Sequence, residues 1–229
     1  YELFQGNDAF HSSVFAVVAQ ISVEEQARLA LSKDSTFFVC ALESLQTSKE
    51  AALLINAIPI VKNCCLSETL RALAQEYKVI ESLLQLLSSC ASEAVRNLIL
   101  DTFEILAIDG TCRKRLVDVG GVSKIYSLLN NSISENTLLH VAALFHNLTF
   151  DGVCSDALRE SGIITFFIEQ LQSGNEAMTI SCLYALNNLM CSDSSRQIVS
   201  RELSQITLNP LLHSRNPLIC LMASKLKLN

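Results

Sequence analysis

Apolar and polar positions recur along the chain with a period close to 42 residues. Five short apolar segments end in a leucine at the same point of the period, and these leucines are Leu45, Leu87, Leu129, Leu171 and Leu212. Another 42 residues before Leu45 stands Leu3, again a leucine. Spacing this constant predicts an array built from one repeated structural unit.

A second apolar segment completes each period. In ENTLLHVAALFHNLTF the apolar residues follow helical spacing and cover most of the circumference, which predicts a helix that neighbours cover on several sides. A turn such as Asp109-Gly110 or Asp151-Gly152 follows, and then a short segment that leads into the next unit. That segment ends at Gly120-Gly121 or Ser161-Gly162, where glycine permits a sharp turn between two packed helices.

The segments VDVGGVSKIYSLLNN…HVAALFHNLTFDG and ESGIITFFIEQLQSGN…CLYALNNLMCSD resemble the armadillo repeat. That family has a glycine-led second helix ending in leucines and a third helix ending in a run like A-L-x-N-L. The resemblance is strong over residues 74–193, fair over 30–73 and weaker at both ends. It implies a right-handed all-α solenoid of three-helix repeats. HEAT repeats are the alternative, but they usually lack the glycine-led pattern.

The 42-residue register defines the predicted domain organisation. It gives a single armadillo-repeat domain over residues 1–229, with a partial repeat at 1–29 and repeats at about 30–73, 74–115, 116–157 and 158–198. Residues 199–229 form either a capping repeat or a truncated one. Because the chain begins at Tyr1, we expect a piece of a longer protein.

Composition narrows the possible partners. Only 17% of the residues are charged, and 7 Gly and 3 Pro in 229 residues favour long helices with short loops. A formal net charge of -6 argues against nucleic acid, since binding a phosphate backbone requires clustered Lys and Arg. The longest apolar stretch, residues 51–61, is too short to cross a membrane.

Nothing in the sequence predicts an enzyme, a cofactor or a metal site. The nine cysteines form no C-x-x-C pair and lie mostly in apolar runs, which favours free thiols in a reducing compartment, the cytoplasm or the nucleus. A phosphate-binding glycine loop and a G-x-S-x-G motif are both absent. His140 and His146 are six residues apart and lie on different helix faces, so they are not expected to bind one metal ion together.

The third helices of armadillo repeats line the concave face, so their polar stripes are the candidate partner-binding residues. Helical spacing selects Asn56 and Asn63 in the first full repeat, Asn97, Asp101 and Glu104 in the second, His140 and Asn147 in the third, and Ser181, Tyr184 and Asn188 in the fourth.

The resemblance implies that Asn63, Asn147 and Asn188 bracket the backbone of an extended peptide, because a side-chain amide is both donor and acceptor. In the second repeat Ile105 takes this place. The alternative is that these amides cap the helix end or bond the adjacent loop.

Nuclear-import adaptors of this family carry a tryptophan four residues before the asparagine. This chain has no tryptophan and carries Pro59, Asp101, Ala143 and Tyr184 there, which argues against that subtype. The stripes contain no Lys or Arg, so they predict a mildly polar to acidic groove for a segment with basic and apolar residues. The basic run Arg113-Lys114-Arg115 is interpreted as a solvated face of a first helix.

The sequence therefore predicts a non-enzymatic scaffold or adaptor that binds an extended or helical segment of a partner protein along the third-helix groove. Two alternatives stay open. The array is an assembly module that dimerises through its terminal helices or the Phe37-Phe38 region, or it is a regulatory domain of a larger protein.

Overall fold

The computed structural model describes residues 8–130, 133–203 and 205–228, so Leu3 of the register lies outside the described residues. Those residues form sixteen α-helices and no β-strand. The chain divides into two compact units after Cys112. The sequence predicts one continuous domain.

The first unit contains two complete helix triplets preceded by one helix. Its helices are α1 (Asp8–Ile21), α2 (Glu25–Lys33), α3 (Thr36–Thr47), α4 (Ala51–Cys64), α5 (Glu68–Glu76), α6 (Val79–Ser89) and α7 (Glu93–Leu106). Helix α4 packs between α1 and α7, while α3 packs on α4 and α6 packs on α7. The last helix of each triplet therefore lies beside the last helix of the next.

The second unit repeats this arrangement after α8 (Gly110–Asp118), the helix in which the division falls. A short 3-10 helix, Ser127–Asn130, follows α9. The remaining helices are α9 (Gly121–Tyr126), α10 (Glu135–Leu148), α11 (Gly152–Ser161), α12 (Ile163–Gln170), α13 (Glu176–Leu189), α14 (Asp193–Glu202), α15 (Gln205–Leu212) and α16 (Pro217–Leu228). Helix α13 packs between α10 and α16, with α12 on α13 and α15 on α16.

The helices thus come in triplets, and we call their members first, second and third helices. The repeat boundaries proposed from the sequence fall inside the first helices α2, α5, α8, α11 and α14. The leucine register marks the end of each second helix, and it does not mark where the short, mostly polar first helix begins.

The core is built mainly from the third helices. On α10, Val141, Ala142, Leu144, Phe145 and Leu148 are all fully buried, as the apolar pattern predicts. Each such large side chain contributes about 1.5–3 kcal/mol when it leaves water. The third helices are therefore the part of each repeat whose sequence is most constrained by packing.

Serine and asparagine caps set where three third helices begin. The side chains of Ser92, Ser134 and Asn175 accept hydrogen bonds from the backbone N–H groups three residues later, at the starts of α7, α10 and α13. A glutamate follows each cap in the sequence. The caps satisfy otherwise unpaired N–H groups, and the glutamates interact favourably with the helix dipole.

Three of the turns from a first to a second helix contain a left-handed residue, whereas Asp34 and Ser35 between α2 and α3 have negative φ angles. Gly120 (φ 73°) and Gly162 (φ 82°) adopt this conformation, which confirms the glycine turns predicted there. Lys78 (φ 53°) occupies the equivalent position in the first unit. A side chain in this region costs about 1 kcal/mol, so the packing of α5 and α6 holds Lys78 in a conformation that its sequence does not favour.

All nine cysteines are free thiols. Burial raises the pKa of Cys64 and Cys112 to about 12 and that of Cys154 to about 11. At neutral pH these three therefore stay protonated and pack as small apolar groups. Among the described residues, no three His, Cys, Asp or Glu side chains come together as a metal site. Within the same described ranges, every helix falls short of the length and apolar content needed to cross a membrane.

Candidate partner-binding surface

All ten candidate residues lie on third helices. They are Asn56 and Asn63 on α4; Asn97, Asp101 and Glu104 on α7; His140 and Asn147 on α10; and Ser181, Tyr184 and Asn188 on α13. Asn63 is buried and the other nine are half-buried. Each unit thus carries a polar stripe on a layer of helices that is otherwise apolar, and we call it the third-helix stripe.

In the first unit, two asparagine amides tie α4 to α1, Asn56 near the start of α1 and Asn63 at its end. The Nδ2 of Asn63 donates to the carbonyl of Ala19 at 3.2 Å and to the hydroxyl of Ser22 at 3.0 Å. The Nδ2 of Asn56 donates to the carbonyl and the hydroxyl of Ser12, at 3.1 and 2.9 Å. These N–H groups therefore join one repeat to the next.

Asn188 repeats this arrangement in the second unit. Its Nδ2 donates to the hydroxyl of Thr149 at 2.9 Å, and that hydroxyl donates to the carbonyl of His146 at 2.6 Å. Ser22 likewise donates to its own helix, to the carbonyl of Ala19 at 2.8 Å. A hydroxyl residue at the end of one third helix thus receives the amide of the next.

The amide nitrogens of Asn63 and Asn188 follow the alternative role, because both donate hydrogen bonds to a neighbouring element of the fold. Their amide oxygens accept no hydrogen bond from the part of the chain that the structure describes. Each oxygen therefore keeps unused acceptor capacity.

The contact between Asn188 and Thr149 gives a measurable coupling. Asn188→Ala should lower the free energy of unfolding by about 1 kcal/mol, because it removes one partly buried hydrogen bond, and Thr149→Val by about 1–2 kcal/mol, because it also removes the bond to the carbonyl of His146. The double variant should lose less than the sum, by about 0.5–1.5 kcal/mol, because both changes remove the same bond. Urea unfolding of the four proteins tests this, and strictly additive losses would contradict the contact.

The acidic part of the stripe in the first unit is paired with a lysine. Lys62 lies on α4, one residue before Asn63, and its Nζ is 2.8 Å from Oδ2 of Asp101 on α7. The stripes contain no basic residue in the sequence, yet packing α4 against α7 brings one to Asp101. The acidic character predicted for this part is therefore reduced.

In the second unit, three rings form a cluster that the sequence does not predict. Tyr184 stacks on His146, with centroids 5.4 Å apart and an interplanar angle of 23°, and Phe150 lies tilted against the same imidazole at 5.2 Å. Nε2 of His146 is buried without a hydrogen-bond partner among the described residues. Burial lowers the pKa of His146, which favours the neutral imidazole.

The lowered pKa of His146 makes stability depend on pH. In the unfolded chain an imidazole titrates near 6.5, so below that pH the unfolded state binds a proton that the folded state resists. Stability is therefore expected to be highest above the unfolded pKa and to fall as the pH decreases towards the folded pKa. His146→Phe should weaken this dependence. Unfolding curves at several pH values between 7.5 and 5 test it, and an unchanged pH dependence would contradict it.

The apolar pair proposed as a dimer contact is only partly available. Phe38 is fully buried in the first unit, and Phe37 is 36% exposed. Only the ring of Phe37 therefore reaches the surface, because α3 turns the ring of Phe38 into the core.

Comparison with known proteins reveals likeness in structure only. No family model matches the chain, and no curated protein matches it. A designed armadillo repeat protein is similar with a TM-score of 0.84 and 17% identity, covering 94% of this chain and 91% of its own. A second, in complex with peptide (KR)4, has a TM-score of 0.83 and 16% identity, covering 94% and 90%.

A third similar structure belongs to computationally designed armadillo repeat proteins for modular peptide recognition, with a TM-score of 0.84, 17% identity and coverage of 94% and 91%. These similarities show that the fold is an armadillo-like, all-α solenoid, and they confirm the resemblance seen in the sequence. At such low identity they establish the fold alone.

Proposed function

We propose that this chain is a protein-interaction scaffold that binds a segment of a partner protein on the third-helix stripe. The observation that carries the proposal is the stripe itself. Half-buried polar side chains recur at helical spacing on third helices that are otherwise packed into the core. Some of these side chains also bond neighbouring helices, but their half-buried positions leave them within reach of a partner segment.

The free amide oxygens supply a specific way to hold a segment. Asn63 and Asn188 use their N–H groups internally, so each fixed side chain presents an oxygen in a set orientation. Such an oxygen accepts a backbone N–H of an extended chain whatever its side chains. Recognition of the side chains then falls to the neighbouring residues, among them Ser181 and Tyr184.

A basic segment is the partner that the charge favours. The chain carries a formal net charge of -6. A structurally similar designed protein is in complex with peptide (KR)4, which supports the same class of partner. Because long-range attraction brings opposite charges together, binding should weaken as the salt concentration rises.

Replacing a small residue of the stripe tests the proposal. Ser181→Arg places a large charged side chain on α13, and it should weaken binding of a partner segment by about tenfold or more. The segment is obtained by capturing partners from cells and mapping them on overlapping peptides, and its affinity is then measured by calorimetry.

The matched control is Ser200→Arg, the same change at an exposed position of the first helix α14. It should leave the affinity unchanged, and both variants should keep the helical circular-dichroism spectrum. Equal affinity of the Ser181→Arg variant and the unchanged protein would contradict the proposal.

A further inference from the structure

Three first helices each hold the end of the preceding helix with an arginine. Arg28 donates from Nη1 to the carbonyls of Ser22, at 3.1 Å, and Val23. Arg71 donates from Nη1 to the carbonyl of Cys65 at 2.8 Å. In each case the guanidinium bonds a carbonyl six residues earlier, where the negative end of a helix dipole favours a cation.

The second unit shows the same contact and one departure from it. Arg196 donates from Nε and Nη2 to the carbonyl of Met190, at 3.2 and 3.0 Å. The register places Ser155 at this position in α11, where its hydroxyl donates to the carbonyl of Thr149 at 3.2 Å. The hydroxyl takes over one hydrogen bond but supplies neither the charge nor the volume of a guanidinium.

A cavity of about 590 Å³ lies at this point of the second unit. Ser155 and Thr149 line it, together with Phe150, Asp156, Asn188 and Ser192. A volume of this size is within the range of small-molecule binding sites. The cavity therefore coincides with the place where other repeats put their own arginine.

The lining suits a guanidinium. It includes Thr149, whose carbonyl accepts from Ser155, the acidic residue Asp156, and Phe150, which is 62% exposed. Asp156 also pairs with Arg159 at 3.0 Å and its side chain is 61% exposed, so it would be shared between two cations. A planar guanidinium donates to several oxygens at once and stacks on an aromatic ring, whereas an ammonium lacks the flat face.

We propose that this cavity binds the arginine side chain of a partner segment, which takes the place left by Ser155. This proposal rests on the proposed function, because the arginine belongs to the partner segment that binds the third-helix stripe. Asn188 belongs both to the third-helix stripe and to the cavity lining, so a segment held at α13 reaches the cavity. Among the described residues, the lining includes no Lys, Arg or His to pair with the α-carboxylate of free arginine, which favours arginine within a peptide.

The test uses acetyl-arginine methylamide as the probe, with acetyl-lysine methylamide and free L-arginine as comparisons. Titrations followed by ¹⁵N–¹H NMR should give saturable shifts for Gly152, Ser155 and the Asn188 side-chain amide with the arginine probe. The lysine probe should give none at the same concentrations. Free L-arginine should bind no more tightly than the blocked probe.

Ser155→Arg supplies the guanidinium from the chain itself. This variant should lose the probe shifts and raise the melting temperature by about 2–4 °C. The control Ser200→Arg should keep the shifts and the original melting temperature. Shifts that persist in the Ser155→Arg variant, equal shifts with lysine, or much tighter binding of free L-arginine would each overturn the proposal.

The probe is a single blocked residue, so a probe that does not bind overturns the guanidinium site but does not contradict partner binding on the third-helix stripe. Conversely, partner affinity that is insensitive to Ser181→Arg would contradict the proposed function and leave the probe result standing. The two failures are therefore distinguishable.

Discussion

Phe145→Ala is expected to lower the free energy of unfolding by about 3–5 kcal/mol. Phe145 is fully buried on α10, the third helix that packs against α13. Removing the ring loses its burial and leaves a cavity in a layer of fully buried residues that has little room to collapse. Urea unfolding followed by circular dichroism measures the loss.

Phe150→Ala is the matched control, since Phe150 follows the end of α10 and is 62% exposed. The same substitution there should cost no more than about 1.5 kcal/mol, because little besides the ring contact with His146 is lost. Similar losses for the two variants would contradict the burial that distinguishes them.

Gly121→Ala is expected to destabilise the second unit by about 1–3 kcal/mol. A Cβ at Gly121 would lie 2.6 Å from the backbone carbonyl oxygen of Leu116 and 2.4 Å from its Cδ1. The leucine tip could move, but the carbonyl belongs to α8 and would require the α8–α9 turn to open. Thermal unfolding should show the loss as a lower melting temperature.

Gly152→Ala provides the comparison, because a Cβ at Gly152 meets nothing within 4 Å. Gly152 is the first residue of α11, where alanine is a good helix former. This variant should be neutral or slightly more stable. A destabilisation equal to that of Gly121→Ala would indicate that the close approach to Leu116 is not its cause.

The repeat and its third helices could be predicted because packing imposes a pattern on them. Residues such as Val141, Leu144 and Phe145 must be apolar to fill the core, so the burial of α10 is visible in the sequence. The turn at Gly120 could also be predicted from the sequence, because a left-handed backbone favours glycine. Lys78 in the same conformation was not, because its strain is offset by contacts that the sequence does not show.

The contacts between repeats could not be predicted from single segments. Arg28, Arg71 and Arg196 fall close to the 42-residue register, but their shared role depends on carbonyls at the ends of α1, α4 and α13. Arg113 holds the same place in the 42-residue register. The register therefore groups Arg113 with these three arginines, and not only with the basic run Arg113-Lys114-Arg115 that is interpreted as a solvated face. In the structure Arg113 is half-buried, and Lys114 and Arg115 are exposed.

The candidate stripe illustrates the same limit. Helical spacing identified the faces of α4, α7, α10 and α13 that carry polar residues. It left open whether Asn63 and Asn188 bind a partner or stabilise the fold. In the structure their N–H groups donate to Ser22 and Thr149. Lys62 was missed because it reaches Asp101 only when α4 and α7 are packed together.

Site-specific photocrosslinking tests the binding of a partner on the third-helix stripe most directly. A photoreactive p-benzoylphenylalanine replaces Ser181 on α13 or, as the control, Ser200 on α14, and crosslinked partner peptides are identified by mass spectrometry. We predict crosslinks from position 181 to one contiguous, basic partner segment and none from position 200. Crosslinks to that partner from position 200 alone, or equally from both positions, would contradict it.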